Sequence, residues 1–452
     1  MARKIALALS LLFASTSLLA ASNPVPLIYQ PLSPTSVTPG HAAFMLTVYG
    51  TGFVAGAAIK TNGIPLKTKF VSTTTLKAEI PAKAVAHAGT ATITVANPGS
   101  IDSNVIYFTV RNPSATVTAK AGSAVIENGH QAVGDFNNDH HPDIVVSSLN
   151  VDIYLDAGKG TFNKVSGPLF DQFVHYPPDV VADFNNDGNL DVAPCGGDGS
   201  GFDPTACIIY FGDGKGNLTD GGQVVLPGAM ADINGDGILD NIAIWSSEDT
   251  YYLTTYLGNG GGTYTNVTFL QTNFVPGLPV VGDFNGDGKL DVAVTGGIGD
   301  TNLVAVFLGN GDGTLQNEVD YTLPSGGGPL AVTDVNGDGK LDIVSGFTVL
   351  LGNGDGTFVV GASMNQNTQT PVQIADVNGD GKLDLVGTLY VNGIASLAII
   401  LGNGDGTFQN PITIATPGGG PSAVADFNGD GLLDFPIDAS SQSYVLLQTP
   451  SK

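Results

Sequence analysis

Side chains that end in oxygen recur at a fixed spacing along most of this chain. A nine-residue segment occurs seven times, and its positions 1, 3, 5 and 9 are Asp, Asn, Asp and Asp in every copy. Position 7 varies, as expected where only the backbone carbonyl is a ligand. With position 7 included, the predicted ligand residues are Asp135, Asn137, Asp139, His141, Asp143; Asp183, Asn185, Asp187, Asn189, Asp191; Asp232, Asn234, Asp236, Ile238, Asp240; Asp283, Asn285, Asp287, Lys289, Asp291; Asp334, Asn336, Asp338, Lys340, Asp342; Asp376, Asn378, Asp380, Lys382, Asp384; and Asp426, Asn428, Asp430, Leu432, Asp434.

This oxygen-only ligand set predicts calcium, with up to seven Ca²⁺ ions. Four side chains, one carbonyl and water supply the six to eight oxygens that Ca²⁺ prefers, whereas Mg²⁺ needs a tighter octahedron. Zinc would need Cys or His ligands, which these segments lack apart from His140 and His141. Glycine at position 6 allows a sharp turn, and His140 replaces it in the first copy, so we expect the first site to be the weakest. The alternative is that these segments are tight Asx turns without an ion.

The charge balance agrees with cation binding and disfavours nucleic acid as a partner. The chain has 41 Asp and Glu against 16 Lys and Arg, a formal net charge of −25. Phosphate contacts need Lys and Arg, which are scarce here. If each loop binds calcium with a Kd of about 0.1 to 1 mM, near-millimolar calcium would add roughly 3 to 10 kcal/mol over seven sites. We therefore expect the ions to stabilise the fold.

The elements around these loops repeat with them. The first Asp of successive copies is separated by 48, 49, 51, 51, 42 and 50 residues, and each repeat holds four short strands. Seven four-stranded units predict an all-β fold, a seven-bladed β-propeller over residues 113–452. The chain ends without a fourth strand for the last unit, so we expect residues 115–119 to complete it. An open β-solenoid is the alternative.

These repeats resemble the FG-GAP/VCBS family, which is related to the propeller of integrin α subunits. The resemblance covers residues 113–452 and implies that the Asp, Asn, Asp and Asp positions bind calcium. Members of that family act in adhesion, glycan binding or scaffolding, and occasionally as enzymes. The fold alone does not decide which of these roles applies.

A separate small domain is expected over residues 23–112. The strand pattern Phe44–Tyr49, the Gly50–Phe53 turn, Asn62-Gly63 and the closing Asn97-Pro98-Gly99 resemble an IPT/TIG immunoglobulin-like β-sandwich. Such domains act as spacers or interaction modules, and this one shows no catalytic group.

The N-terminus predicts export. Arg3 and Lys4 precede an apolar run that ends at Ala21, so residues 1–22 have the form of a signal peptide, cleaved after Ala21 or Ser22. We expect a secreted or periplasmic protein, and no later stretch is long and apolar enough to span a membrane. Export would permit a disulfide between the two cysteines, Cys195 and Cys207.

Two classes of function remain open from the sequence. The first is a non-catalytic adhesion or ligand-binding propeller, whose partner is an extracellular glycan or protein. It would bind at the rim opposite the calcium loops, where connections such as Gly196–Ala206 and Ser246–Thr250 are diverse. The second is a polysaccharide lyase or hydrolase, but no known catalytic motif is present. His140, His141 and His175 are interpreted as turn or surface residues, and Trp245 as a buried residue or a sugar-stacking one. A structural surface-layer role is a third possibility.

Overall fold

A computed structural model describes residues 24–29, 31–114, 116–170, 174–197, 206–247, 250–298, 301–324, 327–363, 373–391, 393–416, 419–439 and 443–450. The expected signal peptide, residues 1–22, lies outside these ranges. Within them, no helix is long and apolar enough to cross a membrane.

The first domain is a β-sandwich of two sheets. Its strands are β1 (Leu27–Ile28), β2 (Ser36–Val37), β3 (Phe44–Thr51), β4 (Ala58–Thr61), β5 (Ile64–Pro65), β6 (Thr68–Phe70), β7 (Thr75–Ile80), β8 (Gly89–Ala96) and β9 (Ile106–Val110), with a short 3₁₀ helix at Ala82–Val85. One sheet has the order β1-β3-β7-β6 and the other β2-β9-β8-β4-β5. Leu46 and Val48 of β3 are buried between the sheets while Met45 is exposed, as period-2 alternation requires. This confirms the immunoglobulin-like sandwich.

The rest of the chain forms seven four-stranded antiparallel sheets, which we call blades 1 to 7. Blade 1 contains β11 (His130–Gly134), β12 (Asp143–Ser147), β13 (Val151–Asp156) and β14 (Phe162–Val165); blade 2, β15 (Val174–Ala182), β16 (Asp191–Gly197), β17 (Ala206–Gly212) and β18 (Leu218–Val225); blade 3, β19 (Gly228–Ala231), β20 (Asp240–Ser247), β21 (Thr250–Gly258) and β22 (Tyr264–Thr272); blade 4, β23 (Val280–Gly282), β24 (Asp291–Ile298), β25 (Thr301–Phe307) and β26 (Val319–Thr322); blade 5, β27 (Leu330–Thr333), β28 (Asp342–Ser345), β29 (Thr348–Gly352) and β30 (Phe358–Ser363); blade 6, β31 (Gln373–Ala375), β32 (Asp384–Val391), β33 (Ile394–Ile400) and β34 (Ile412–Ala415); and blade 7, β35 (Gly419–Pro421), β36 (Phe435–Ala439), β37 (Ser443–Thr449) and β10 (Thr118–Ile126).

Blade 7 closes the ring with a strand from the start of the repeat region. Strand β10 pairs antiparallel with β37, and Thr118 faces Thr449. The expected completion of the last blade is therefore confirmed, but the strand begins at Thr118 and runs to Ile126 instead of spanning residues 115–119. Ile126 and Val445 share a buried cluster with Ile144 of blade 1. An open solenoid would have no such core between its last and first units.

The apolar second strands show why the blades stack. Val292 and Val294 of β24 pack into the cluster shared with blade 3, whereas Ala293 between them packs into the cluster shared with blade 5. All three are fully buried. Successive residues of a strand point to opposite faces, so a strand between two neighbours must be apolar on both.

In blade 2, Cys195 of β16 and Cys207 of β17 form a disulfide and face each other as cross-strand partners. The structure thus contains the disulfide that the sequence permits. It holds together the strands on either side of the connection Gly196–Ala206, of which residues 198–205 lie outside the described ranges.

Candidate functional site

All seven oxygen-rich loops lie on one rim of the propeller, here called the loop rim. Each loop joins the first and second strands of its blade, as Asp283 to Asp291 joins β23 to β24. In blades 1 to 6 the hairpin between the third and fourth strands lies at the same end, because antiparallel strands return to that end every second turn. The hairpins of these six blades therefore share the loop rim with the loops.

The loop backbone is left-handed at two positions. Position 6 has φ between 81° and 87° at the glycines of six loops, and His140 takes φ 69° in the first. Position 4 is also left-handed, with Asn138 at 58°, Asn186 at 62° and glycine in the other five. Glycine and Asn tolerate this region best, which explains the residue choice at both positions. Position 6 was predicted as a turn position from the sequence, but position 4 was not, although its restriction to Asn and Gly was a visible signal.

The side chains at positions 1, 3 and 5 are brought together by hydrogen bonds to the loop's own backbone. In blade 4, Asp283 Oδ1 accepts the N–H of Asp287 at 3.1 Å and Oδ2 accepts that of Gly288 at 3.0 Å. Asn285 Oδ1 also accepts the Asp287 N–H, at 2.8 Å, and Asp287 Oδ1 accepts the N–H of Lys289 at 2.9 Å. The other six loops repeat all four bonds. Each loop is thus an Asx-type turn that its own carboxylates hold closed.

The position 9 carboxylate connects the loop to the third strand. Asp291 is completely buried, and its Oδ2 accepts the N–H of Phe284 while its Oδ1 accepts that of Gly309, both at 2.8 Å. The equivalent Asp in every blade has 0% exposure and makes the same two kinds of bond. Two distant backbone segments therefore depend on one carboxylate.

Burial and mutual repulsion disfavour charge on these acids. Burial raises the pKa of Asp291 to about 7, and Asp283 and Asp287 add to the rise. The position 9 Asp of every other blade also has its pKa raised, to between about 6 and about 8, with burial as the main cause. Burial likewise raises the pKa of Asp283. A nearby cation would relieve this repulsion.

In blades 1 to 6 the position 7 side chain packs against the hairpin of its own blade. His141, Asn189 and Ile238 lie against the hairpin glycines of their own blades, and so do the lysines of blades 4 to 6. Lys289 Nζ is 3.8 Å from an oxygen of Asp287, a half-exposed pair that contributes little. That position 7 contributes only its backbone carbonyl to an ion remains a prediction.

The loops contain the donor types that calcium prefers, but their oxygens are engaged with backbone N–H groups. Over the part of the chain that the structure describes, no group of three or more His, Cys, Asp or Glu side chains is placed to hold a metal ion. An ionised carboxylate has about four lone-pair positions, and the three hydrogen bonds that Asp283 accepts (the third from the Thr74 hydroxyl) and the two that Asp291 accepts leave free capacity on each. The residues therefore fit a hard cation by chemistry and capacity, and calcium binding remains a prediction.

The sandwich domain covers the loop rim. Three of its hydroxyls donate to Oδ2 of a position 1 carboxylate: Ser36 to Asp376 in blade 6, Thr74 to Asp283 in blade 4 at 3.3 Å, and Thr90 to Asp426 in blade 7 at 2.5 Å. This contact was not predicted from the sequence, in which isolated hydroxyls at separate places in the sandwich form no pattern.

Further contacts extend this cover around the rim. Thr51 Oγ1 accepts the N–H of Asp232 in blade 3 at 3.1 Å, and the Val25 N–H donates to Asn186 Oδ1 in blade 2 at 3.1 Å. In blade 5 burial and the charge of Asp334 raise the pKa of Tyr49 to about 12. The sandwich thus reaches loops of six blades, and a cleft remains at the seam beside blades 4 and 5.

Arg111 fixes the junction between the domains. Its Nη1 donates to the carbonyl of Val377, at position 2 of the blade 6 loop, at 2.8 Å. The residue is 5% exposed and interacts electrostatically with Asp376 and Asp426. Its guanidinium therefore places one positive charge between the loops of blades 6 and 7.

The opposite rim carries exposed apolar side chains. Leu149, Ile298, Tyr390 and Ile394 are 79%, 50%, 57% and 54% exposed, and they flank the connections between the second and third strands of blades 1, 4 and 6. The predicted connection Ser246–Thr250 also lies here, and its residues 248 and 249 are outside the described ranges.

Blade 3 adds an aromatic cluster near this rim. The ring of Trp245 lies 5.4 Å from that of Tyr252 and 5.6 Å from that of Phe269, which is 51% exposed. Trp245 is partly exposed, and its ring packs against both of these aromatic rings.

A group of titratable residues also lies toward the opposite rim, between blades 1, 2 and 7. Burial raises the pKa of Asp179 to about 6, and the charge of Asp438 adds to the rise while Ser147 and His130 lower it. Ser147 Oγ donates to Asp179 Oδ2 at 2.5 Å, and His130 Nδ1 is 3.7 Å from an Asp438 oxygen. This group was not predicted from the sequence, because its members are far apart in the chain.

The histidines singled out from the sequence belong to turns and strands. His140 is exposed, with Nδ1 3.6 Å from Asp135. His141 lies over Gly158, and His175 is in β15.

Comparison with protein families agrees with this arrangement. The FG-GAP-like repeat matches residues 135–193, 232–294, 283–345, 334–387 and 376–435, which together exceed half of the chain. The chain belongs to the FG-GAP-like repeat family. Each match in this FG-GAP protein begins at the first Asp of one loop and ends just beyond the next loop, so the family's unit runs from loop to loop across two blades.

The first domain of the FG-GAP protein matches the IPT/TIG domain over residues 29–110. Both domain types are typical of extracellular ligand-binding or adhesion proteins, and of proteins without enzymatic activity. A search of the curated proteins found no match.

Proposed function

We propose that this protein is an exported, non-catalytic adhesion or ligand-binding protein that binds an extracellular glycan or protein through the rim opposite its loops, with calcium stabilising the propeller. The observation that carries the proposal is the cover of the loop rim by the sandwich. A rim occupied by another domain is a poor place for a ligand, whereas the opposite rim presents diverse connections on a rigid scaffold.

Calcium is supported by the chemistry of the loops. Each loop packs three carboxylates together, and its position 9 Asp is fully buried. Burying a carboxylate without a compensating charge is costly, and calcium would supply positive charge among oxygens that suit it.

Thermal unfolding of the mature protein tests the calcium part. We expect the midpoint to rise by on the order of 10 °C in millimolar Ca²⁺ relative to EDTA, with little change in Mg²⁺. Equal unfolding midpoints in Ca²⁺ and in EDTA would indicate that the acidic residues only form turns and bind no ion.

Ligand binding is supported by the exposed apolar residues of the opposite rim, since such side chains mark interaction sites when they gather on one surface. The test compares binding of the protein to immobilised polysaccharides and to intact cells. In the rim variant, Leu149→Ser and Tyr390→Ser are combined. The matched control combines Val319→Ser and Val359→Ser, which are 51% and 56% exposed and lie on fourth strands.

We expect the rim variant to lose at least tenfold in affinity and the control to bind as the unchanged protein does. Equal binding by both variants would move the ligand site away from this rim.

A polysaccharide lyase or hydrolase is the second candidate, and the Asp179–Asp438 pair supports it. Acid catalysis needs a carboxyl with a raised pKa near another carboxylate, and Asp179 meets that condition. Depolymerisation of a polysaccharide by the unchanged protein, lost in Asp179→Asn, would favour this candidate over pure binding.

A further inference from the structure

We infer that the sandwich domain completes the metal loops of blades 4, 6 and 7, where the hydroxyls of Thr74, Ser36 and Thr90 position the first carboxylate for calcium. Ion binding and domain docking are then coupled. The inference rests on the calcium binding proposed above and goes beyond it, because it assigns a role in calcium binding to residues outside the repeats.

The hydroxyls saturate one oxygen of the carboxylate. In blade 7, Asp426 Oδ2 accepts both the Thr90 hydroxyl and the N–H of Gly431 at 2.8 Å. An oxygen of this kind has two lone pairs, so Oδ2 is filled. Among the hydrogen bonds of the described residues, Oδ1 accepts only the N–H of Asp430, at 3.1 Å, which leaves one lone pair for an ion.

Blade 4 has the same arrangement. Asp283 Oδ2 accepts the Thr74 hydroxyl and the N–H of Gly288, while Oδ1 accepts only the N–H of Asp287 among the hydrogen bonds of the described residues. In blades 4 and 7 the hydroxyl therefore fills Oδ2, and Oδ1 is the oxygen with capacity for an ion. In blade 6 Oδ1 of Asp376 accepts two N–H groups, from Gly379 at 2.7 Å and from Asp380 at 3.0 Å, so calcium would have to replace one of these bonds there.

Three separate parts of the sandwich make this contact. Ser36 lies in β2, Thr74 immediately before β7, and Thr90 in β8, yet each reaches the same atom of a position 1 Asp. Ser36 and Thr74 are buried in the interface. A single orientation of the sandwich domain on the propeller therefore makes all three contacts.

The remaining loops provide an internal comparison. Within the described residues, no sandwich hydroxyl donates to the first carboxylate of blades 1, 2, 3 or 5, which are Asp135, Asp183, Asp232 and Asp334. If the hydroxyls position ligands, removing them should weaken three sites and spare four.

The expected size of the effect comes from other metal sites. Removing a residue that hydrogen-bonds a metal ligand typically lowers the metal affinity about 10- to 100-fold. Coupling between binding and docking is reciprocal, so calcium should favour docking by the same factor by which docking favours calcium.

The experiment is a calorimetric Ca²⁺ titration of the metal-free full chain. The test variant combines Ser36→Ala, Thr74→Val and Thr90→Val. The control combines Thr74→Ser and Thr90→Ser, which retain the hydroxyls. We expect about three sites to weaken at least tenfold in the test variant, with the others unchanged and the control close to the unchanged protein.

A second readout follows docking without measuring affinity. Arg111 is buried at the junction, so Ca²⁺ should slow trypsin cleavage after it in the unchanged protein. In the test variant, the factor by which Ca²⁺ slows this cleavage should be about tenfold smaller.

Each result has a distinct meaning. Seven unchanged sites in the test variant, or uniform weakening of all sites, would overturn the positioning role while calcium binding stands. No calcium binding by the unchanged protein would remove the proposed calcium function and this inference with it.

Discussion

Replacing Asp291 with alanine should destabilise the propeller even when no metal is present. The carboxylate accepts the N–H groups of Phe284 and Gly309, each at 2.8 Å, at a position with no solvent exposure. Alanine would leave both N–H groups buried without a partner. Each such loss costs about 1–3 kcal/mol, so we expect the free energy of unfolding to fall by about 2–6 kcal/mol.

The matched control is Asp287→Ala, in the same loop. The Asp287 side chain is 40% exposed, and its Oδ1 accepts a single N–H, from Lys289. Water can replace that bond, so the expected loss is below about 1 kcal/mol. Urea unfolding in EDTA compares the two variants, with fluorescence of Trp245 as the probe, because the chain has one tryptophan and it lies in the propeller.

The reasoning fails if Asp291→Ala is no less stable than Asp287→Ala in EDTA. In millimolar Ca²⁺ both variants should lose stability relative to the unchanged protein, because each removes a proposed ligand. The difference between the two media therefore separates the hydrogen-bonding role of position 9 from its metal role.

Three other predictions use the same unfolding assay. His140→Gly should stabilise the calcium-free protein by about 1 kcal/mol, because His140 has a left-handed backbone, and an unchanged midpoint would contradict this. Asp179→Asn should stabilise by up to about 3 kcal/mol at pH 8 but hardly at pH 4: the folded pKa of about 6 exceeds the unfolded one, so stability is present at low pH and lost as pH rises through 6. A gain that is independent of pH would refute this reasoning. Replacing Cys195 and Cys207 with alanine should cost about 3 kcal/mol, a loss that reductant should reproduce in the unchanged protein but not in the variant.

The repeat architecture was predictable because it depends on periodic features. The recurrence of the loop that begins at Asp135 and of the apolar strands around it predicted the number of blades. The closing strand was misplaced, starting at Thr118 and not at residue 115. Its pairing is set by the register with β37, about 330 residues away in the chain, which local pattern cannot specify.

Position 9 shows a different limit. An Asp that recurs in all seven copies is expected of a calcium ligand and equally of a structural acceptor, so recurrence cannot separate them. The structural role of Asp291 depends on the N–H of Gly309, which lies 18 residues away in the chain. Because this donor is a backbone group, no side chain marks it in the sequence. The docking of the sandwich was unpredictable for a similar reason, since its contacts are single hydroxyls at turns and strand ends.

The charges of the two domains set the conditions in which their coupling must be measured. Residues 24–112 have six Lys and Arg against two Asp and Glu, whereas residues 113–452 have eight against 39. Long-range attraction therefore favours docking, and calcium on the loop rim would weaken it, opposite to the effect of the hydroxyls. At about 0.15 M salt the screening length is about 8 Å, so exposed lysines contribute little while the bonds of Ser36 and Thr90 are unaffected. Calcium should consequently slow cleavage after Arg111 at physiological salt, and this protection should shrink or reverse at about 0.01 M salt.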